Sequence, residues 1–304
     1  MNKLIDFVPG VTVTSGGHNP FQEIFKGLEP PPVMGDTDVW QHNQDIKDAA
    51  LRAIHDRDPG LARYIVENGI LGFHGTSSAA LAGVIDSGCL KPARDIIEKG
   101  GFLTTGERAY ANPEGQALIS FVDYGQPSVL RYYCGEEGPR SVDAIDVGIA
   151  TAKEHIYQMG PEEFADKRLL CIAKQILEDL ERQRQILIAE PDSLSSVLWC
   201  ANFPVAFGIS AKLTGSAIVD NFRDSNELRK KNSNQPYIIQ HIPSDNPGEF
   251  RYGGPSLALD RVGLILVPDD KISFVEELLK LHGFKNVHVG KLSSVIGDAE
   301  PRGF

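Results

Sequence analysis

A single stretch, ILGFHGTSSAALAGVIDSGCLKPARDIIEKGGFLTT over residues 70–105, does most to restrict the folds open to this chain. Its first four residues are apolar and predict a short buried strand over 70–73. A polar turn, an amphipathic helix, a glycine stop, a basic loop and a second short strand follow. Leu81, Val84 and Ile85 share one helical face, and Thr76, Ser77 or Ser78 can cap the first turn, whose amide donors would otherwise lack partners. Gly88 ends that helix. His74 and Gly75 then stand where the carboxyl end of a strand meets the amino end of a helix, a natural place for a polar ligand.

With 304 residues the chain can bury a substantial core. A net charge of -11 argues against a nonspecific nucleic-acid binder, which presents a basic face, and favours a small-molecule substrate or a protein acceptor. No apolar run approaches the length of a membrane span, so no membrane partner is expected. The amino terminus has neither a continuous apolar core nor a cleavage site, and the expectation is a protein without a signal peptide that folds in the cytoplasm. Cys89, Cys134, Cys171 and Cys200 are far apart and read as reduced thiols, and the histidines form no His-Glu-x-x-His pair. A catalytic metal is therefore not expected. The dinucleotide-binding, phosphate-loop and nucleophile-elbow motifs are all missing, so any NAD is not held as a dehydrogenase holds it.

Residues 1–36, with Pro9, Pro20 and a run from Pro30 to Pro32, predict an irregular arm. Residues 37–69 predict two helices, separated by Asp58-Pro59-Gly60, that brace the first strand. The segment 112–126 is ambiguous, a helical turn leading into a loop, and 128–134 reads as a strand from its β-forming residues. Over 140–200 the periodicity is helical and Gly160-Pro161 divides it into two helices, with Glu178, Asp179, Glu181, Arg182 and Arg184 on a solvated face. Strands are predicted over 202–210, 235–242 and 262–267, with a charged exposed loop between the first two. A helix over 272–281 and a strand over 286–289 complete the chain.

His74-Gly75-Thr76, the helix behind it and Gly100-Gly101-Phe102-Leu103-Thr104-Thr105 together resemble the nicotinamide site of ADP-ribosyltransferases of the diphtheria-toxin and poly(ADP-ribose) polymerase type. The resemblance covers residues 70–133 and 203–290 and implies an α+β fold, a split β-sandwich of two small sheets around an NAD cleft. The segment 70–304 would then be the catalytic domain, 140–200 a helical insertion that braces it or meets the acceptor, and 128–134 a strand of the central sheet. It further implies that His74 contacts a ribose hydroxyl, that the Gly75 backbone pairs with the nicotinamide amide, and that Thr76 and Ser77 lie beside them. Leu103 stands where the family has a ring-stacking tyrosine; Tyr110 is the substitute, with Phe102 behind it. Arg94, and after it Lys91, would meet the phosphates, a solvated loop charge being the alternative for either. Glu249, at the start of a short strand, resembles the family's catalytic glutamate on the strand next to the His-Gly strand. A surface glutamate is the alternative, and Glu190 is the reserve candidate.

Cleaving the nicotinamide–ribose bond builds positive charge on the sugar, which a nearby carboxylate opposes. The implied activity is mono-ADP-ribosyl transfer from NAD, a substrate, to a protein, with no metal. Bacterial toxins and effectors delivered into host cells share this layout, some acting on ubiquitin or another abundant protein. Two alternatives stay open: an NAD-dependent RNA 2′-phosphotransferase, which shares His-Gly-Thr but depends on basic residues that are sparse here, and a noncatalytic binding module, for which Leu103 is the best argument.

Overall fold

The computed structural model describes residues 37–98, 118–135, 140–161, 166–219, 237–241 and 249–297. The expected arm, and Phe102, Leu103 and Tyr110, lie outside the described residues.

Two helices, α1 (Thr37–Arg57) and α2 (Pro59–Asn68), come first. Asp58 separates them as an N-cap whose carboxylate accepts from Leu61 N at 2.9 Å, Pro59 supplies a first-turn residue that needs no amide partner, and Gly69 closes α2 at φ 58°. Strand β1 (Ile70–Ser77) leads into α3 (Ser78–Ser87), which Gly88 ends at φ 67°. There follow β2 (Cys89–Leu90), α4 (Ala93–Glu98), β3 (Ile119–Asp123) and α5 (Pro127–Cys134). Next come α6 (Val142–Gln158), α7 (Lys167–Ala189) and α8 (Leu194–Ala201), and then β4 (Pro204–Ser210), α9 (Ala211–Thr214) and β5 (Ala217–Val219). The remainder is β6 (Tyr237–His241), β7 (Glu249–Tyr252), β8 (Leu257–Ala258), α10 (Leu259–Val262), β9 (Leu264–Val267), α11 (Ile272–Leu281), β10 (His288–Lys291) and α12 (Leu292–Ile296).

The architecture is α+β. Eight strands form one mixed sheet in the order β10-β9-β4-β1-β3-β7-β6-β5, and β2 pairs with β8 apart from it. On one face Leu81, Val84 and Ile85 of α3, Leu198 of α8 and Val275 and Leu279 of α11 pack on Phe121, Phe207 and Phe250. On the other, Leu51 and Ile54 of α1, Leu61 and Ile65 of α2, Leu130 of α5 and Val295 of α12 pack on Phe73, Val122 and Leu266. Helices thus cover both faces, which is why β4 and β9 are buried along their whole length and read as unbroken apolar runs. The helical pair α6–α7 is held together by Lys153–Glu181 at 2.8 Å and by the Asp146–Arg184 pair, and it joins the body where Ile145 and Leu187 meet Trp199 of α8.

Several sequence expectations need correction. Residues 128–134 form helix α5, not a strand of the central sheet: Pro127 starts it, and Leu130 and Cys134, four apart, bury one stripe while Tyr132 and Tyr133 stay exposed. The ambiguous segment 112–126 contains β3. β1 runs four residues past its expected end, so His74 and Gly75 are inside a strand and not at its junction with a helix. Ser77 caps α3 without a side-chain bond; Ser78 instead accepts from Phe203 N at 3.0 Å and donates to Leu198 O at 2.6 Å, fastening α3 to the α8–β4 junction. The strand expected over 262–267 starts at Leu264, after the Gly263 break at φ 79°. The sheets also differ from the expected pair, because both halves are hydrogen-bonded into one ladder.

Candidate functional site

The seam between β1 and β3 is the most unusual place in the sheet. β1 pairs with β4 at seven positions, up to Ser77↔Pro204, but with β3 at only two, Gly72↔Asp123 and Phe73↔Val122. The ladder that joins β10-β9-β4-β1 to β3-β7-β6-β5 is therefore closed at one end and open from His74 to Ser77 among the described residues. At the closed end the backbones nearly touch: a Cβ on Gly72 would lie 2.2 Å from the Val122 carbonyl oxygen. Backbone donors and acceptors along an open strand edge are what a polar ligand can use.

His74 stands at the mouth of this opening, partly buried, with Nδ1 2.6 Å from the backbone oxygen of Ser120 on β3. A carbonyl only accepts, so Nδ1 carries the proton and donates. Burial holds the imidazole below its ordinary pKa, outweighing the Ser120 bond, which acts the other way. His74 is accordingly neutral at pH 7, with Nε2 as an acceptor.

Gly75 has a packing reason of its own. A Cβ there would meet Tyr133 Cβ at 2.9 Å and the Cys134 nitrogen and sulfur at 3.1 Å, so α5 rests directly on it. The Cys134 thiol donates to Val205 O at 3.4 Å, and burial pushes its pKa up to about 12. Iodoacetamide at pH 8 will therefore modify exposed Cys171 and leave Cys134 unmodified in the folded protein, as peptide mass mapping would report; early labelling of Cys134 would mean that α5 lifts from β1. Thr76 is buried and Ser77 half-buried on the same strand.

The other expected residues are more scattered. Arg94 is exposed on α4, 3.6 Å from Asp95, and Lys91 is half-buried just before that helix. Glu190 is exposed in the turn after α7, its amide bonded to Ile186 O. Glu249 opens β7, but β3 lies between β7 and β1, so the expected adjacency to the His-Gly strand does not hold. Its backbone pairs with Val122, which pairs with Phe73, whereas His74 belongs to the next row, paired with Phe207. The side-chain placement of Glu249 lies outside the described residues.

Three further residues shape the opening and were not singled out from the sequence: Gly72, Ser120 and Asp123. Ser120 acts through its carbonyl, which any residue could supply, so no sequence signal marks it. Gly72 did carry a signal, a glycine within an apolar strand, which indicates close backbone approach. Among the described residues no group of three His, Cys, Asp or Glu side chains could hold a metal ion, and no helix is long and apolar enough to cross a membrane. Comparison with protein-family models, with curated proteins and with solved structures finds no match.

Proposed function

We propose that this chain is a mono-ADP-ribosyltransferase that takes NAD as a substrate at the opening between β1 and β3 and passes ADP-ribose to a protein. The observation that carries the reading is His74: a neutral imidazole, fixed in one tautomer by the Ser120 carbonyl, at the mouth of an open strand edge. With Nδ1 engaged, Nε2 is left to accept a hydrogen bond from a ribose hydroxyl, and the adjoining edge at Gly75 is left to pair with a carboxamide. The two-position seam between halves of four strands supports reading the single sheet as a split sandwich. Glu249, whose strand is bound to β3, is the proposed carboxylate that opposes charge on the ribose as nicotinamide leaves. Arg94 and Lys91 are the proposed phosphate contacts, and Phe102, Leu103 and Tyr110 the proposed cover for the ring. A host protein such as ubiquitin is the proposed acceptor, in the manner of a delivered effector.

The test is incubation with NAD labelled in its adenylate part, followed by intact-mass measurement of candidate acceptors. Transfer adds one ADP-ribose to the acceptor and releases nicotinamide. Replacing His74 with alanine is expected to lower kcat/KM by about a hundredfold or more, the effect of misplacing a reacting group. Glu249→Ala is expected to abolish transfer while NAD affinity is kept, and unchanged turnover would remove Glu249 from the mechanism. Cyclic phosphate released from 2′-phosphorylated RNA would assign the chain to the phosphotransferases instead. NAD that is bound but not consumed would make it a binding module.

A further inference from the structure

Beside the closed end of the β1–β3 seam lies a buried ion pair, Lys47–Asp123. Asp123 is the last residue of β3 and faces Gly72 across the closed end of the seam. Its Oδ1 accepts from Gly125 N at 2.7 Å and its Oδ2 lies 2.9 Å from Lys47 Nζ. The Lys47 and Asp123 side chains are only 8% and 3% exposed. Lys47 belongs to α1, whose Leu51 and Ile54 pack in one cluster with Ile70 and Phe73 of β1, and its ammonium also stands 5.1 Å from the ring centroid of Phe250 on β7. Lys47 thus connects α1, whose apolar residues share a cluster with β1, to both β3 and β7.

We infer that the Lys47–Asp123 pair is the clamp that sets the opening between β1 and β3, and that Lys47 and Asp123 are positioning residues for His74. β3 is secured to β7 from Ile119 to Val122 but to β1 only at the closed end, so β3 and β7 move relative to β1 as one unit. Ser120 lies three residues before Asp123 on that unit. A small change of angle at Asp123 therefore displaces the Ser120 carbonyl, which at 2.6 Å decides which ring nitrogen of His74 bears the proton. An oriented ion pair holds one angle where an apolar contact would allow sliding. This inference deepens the NAD reading and rests on it for its consequence, though the clamp itself is a property of the protein without ligand.

The experiment uses the full chain with 15N-labelled histidine. In the unaltered protein the ring shifts of His74, assigned by loss of its signals in His74→Gln, are expected to show a protonated Nδ1 and a bare Nε2. In the double variant Lys47→Met with Asp123→Asn, which leaves no unpartnered charge, the two shifts are expected to converge as the tautomers mix. NAD affinity is expected to weaken by about tenfold or more, as loosened positioning requires. Lys47→Arg, which keeps a cation at the same place, is expected to retain the fixed tautomer. Identical His74 shifts in the double variant and the parent, with circular dichroism showing both folded, would overturn the clamp. Should the double variant not fold, Asp123→Asn alone, which keeps an acceptor for the Gly125 amide, is read by the same shifts and the same two outcomes. A changed tautomer in a protein that never binds NAD would leave the clamp standing and defeat the NAD reading alone.

Discussion

Alanine at position 72 is expected to destabilise the protein by about 3 kcal/mol, the upper end of the cost of overpacking a closed interior. The added methyl would sit 2.2 Å from the Val122 carbonyl oxygen, 2.8 Å from its carbonyl carbon and 3.1 Å from the Asp123 Cα. All three are backbone atoms, so no rotamer change relieves the contact, and β3 must move away from β1. A loss of that size lowers the melting temperature by about 5 °C in a chain of this length. The same displacement draws the Ser120 carbonyl from His74, so the NAD turnover proposed above should fall together with stability. Gly83→Ala is the internal control: that glycine is exposed in α3 with nothing within 4 Å of an added Cβ, and alanine there should raise stability by up to about 1 kcal/mol. Thermal melts by circular dichroism compare the two. A Gly72→Ala protein that melts with the parent would show that the strands do not meet as closely as described.

What could be read beforehand divides along a physical line. The α1–α2 break at Asp58-Pro59-Gly60, the glycine stop after α3, the division of α6 from α7 at Gly160-Pro161 and the bounds of α11 rest on local chemistry: caps, a proline at the first helical position, a 3.6-residue apolar period. A single sequence carries such signals in full. The helix α5 was missed because Val129, Tyr132 and Tyr133 favour strands in isolation, while its conformation is set by Leu130 and Cys134 packing against Gly75 and its neighbours. β3 was missed because five residues bounded by no glycine or proline at their start give a weak period. Pairing order is nonlocal, so neither the insertion of β3 between β1 and β7 nor the short seam could be foreseen. His74 and Gly75 were legible as a motif. Their immediate surroundings were not, since the Ser120 contact is a main-chain oxygen and the demand for glycine at 75 comes from a helix expected to be a strand. Lys47 falls in a stretch read as helix and Asp123 in one read as a turn and loop, and only the tertiary fold buries them opposite each other.

The second large effect is the loss of the Lys47 ammonium. Lys47→Met keeps the length and apolar character of the side-chain stem but leaves the Asp123 carboxylate buried without its counter-charge, an arrangement expected to cost about 3–5 kcal/mol near neutral pH. That cost has a definite pH dependence. Burial already raises the Asp123 pKa above the ordinary 3.8, opposed by the Lys47 charge, by the Gly125 amide and by the Lys47 hydrogen bond. A carboxyl group with a raised folded-state pKa binds its proton more tightly folded than unfolded. Its contribution to stability is therefore complete below the unfolded value and is lost as pH rises through the folded one. Removing the chief opposing cation raises the folded value further, so the window of loss widens upward in Lys47→Met. The gap between parent and variant should accordingly be widest at pH 7–8 and narrow as the pH falls toward about 4, where the proton neutralises the orphaned carboxylate. Asp48, raised mainly by burial and lowered in part by the Lys47 charge, loses that opposition too and adds to the gap with the same sign, while Tyr124, raised well above its ordinary value, stays protonated throughout this range. Urea unfolding at a series of pH values measures that gap directly. The double variant with Asp123→Asn should show a smaller gap that lacks the widening Asp123 causes toward pH 8, because no bare carboxylate is left at position 123. A gap in Lys47→Met that keeps the same size from pH 4 to pH 8 would mean that the Asp123 carboxylate finds solvent or another cation once Lys47 is gone, and the short β1–β3 ladder and apolar packing would then join the two halves of the sheet without the ion pair.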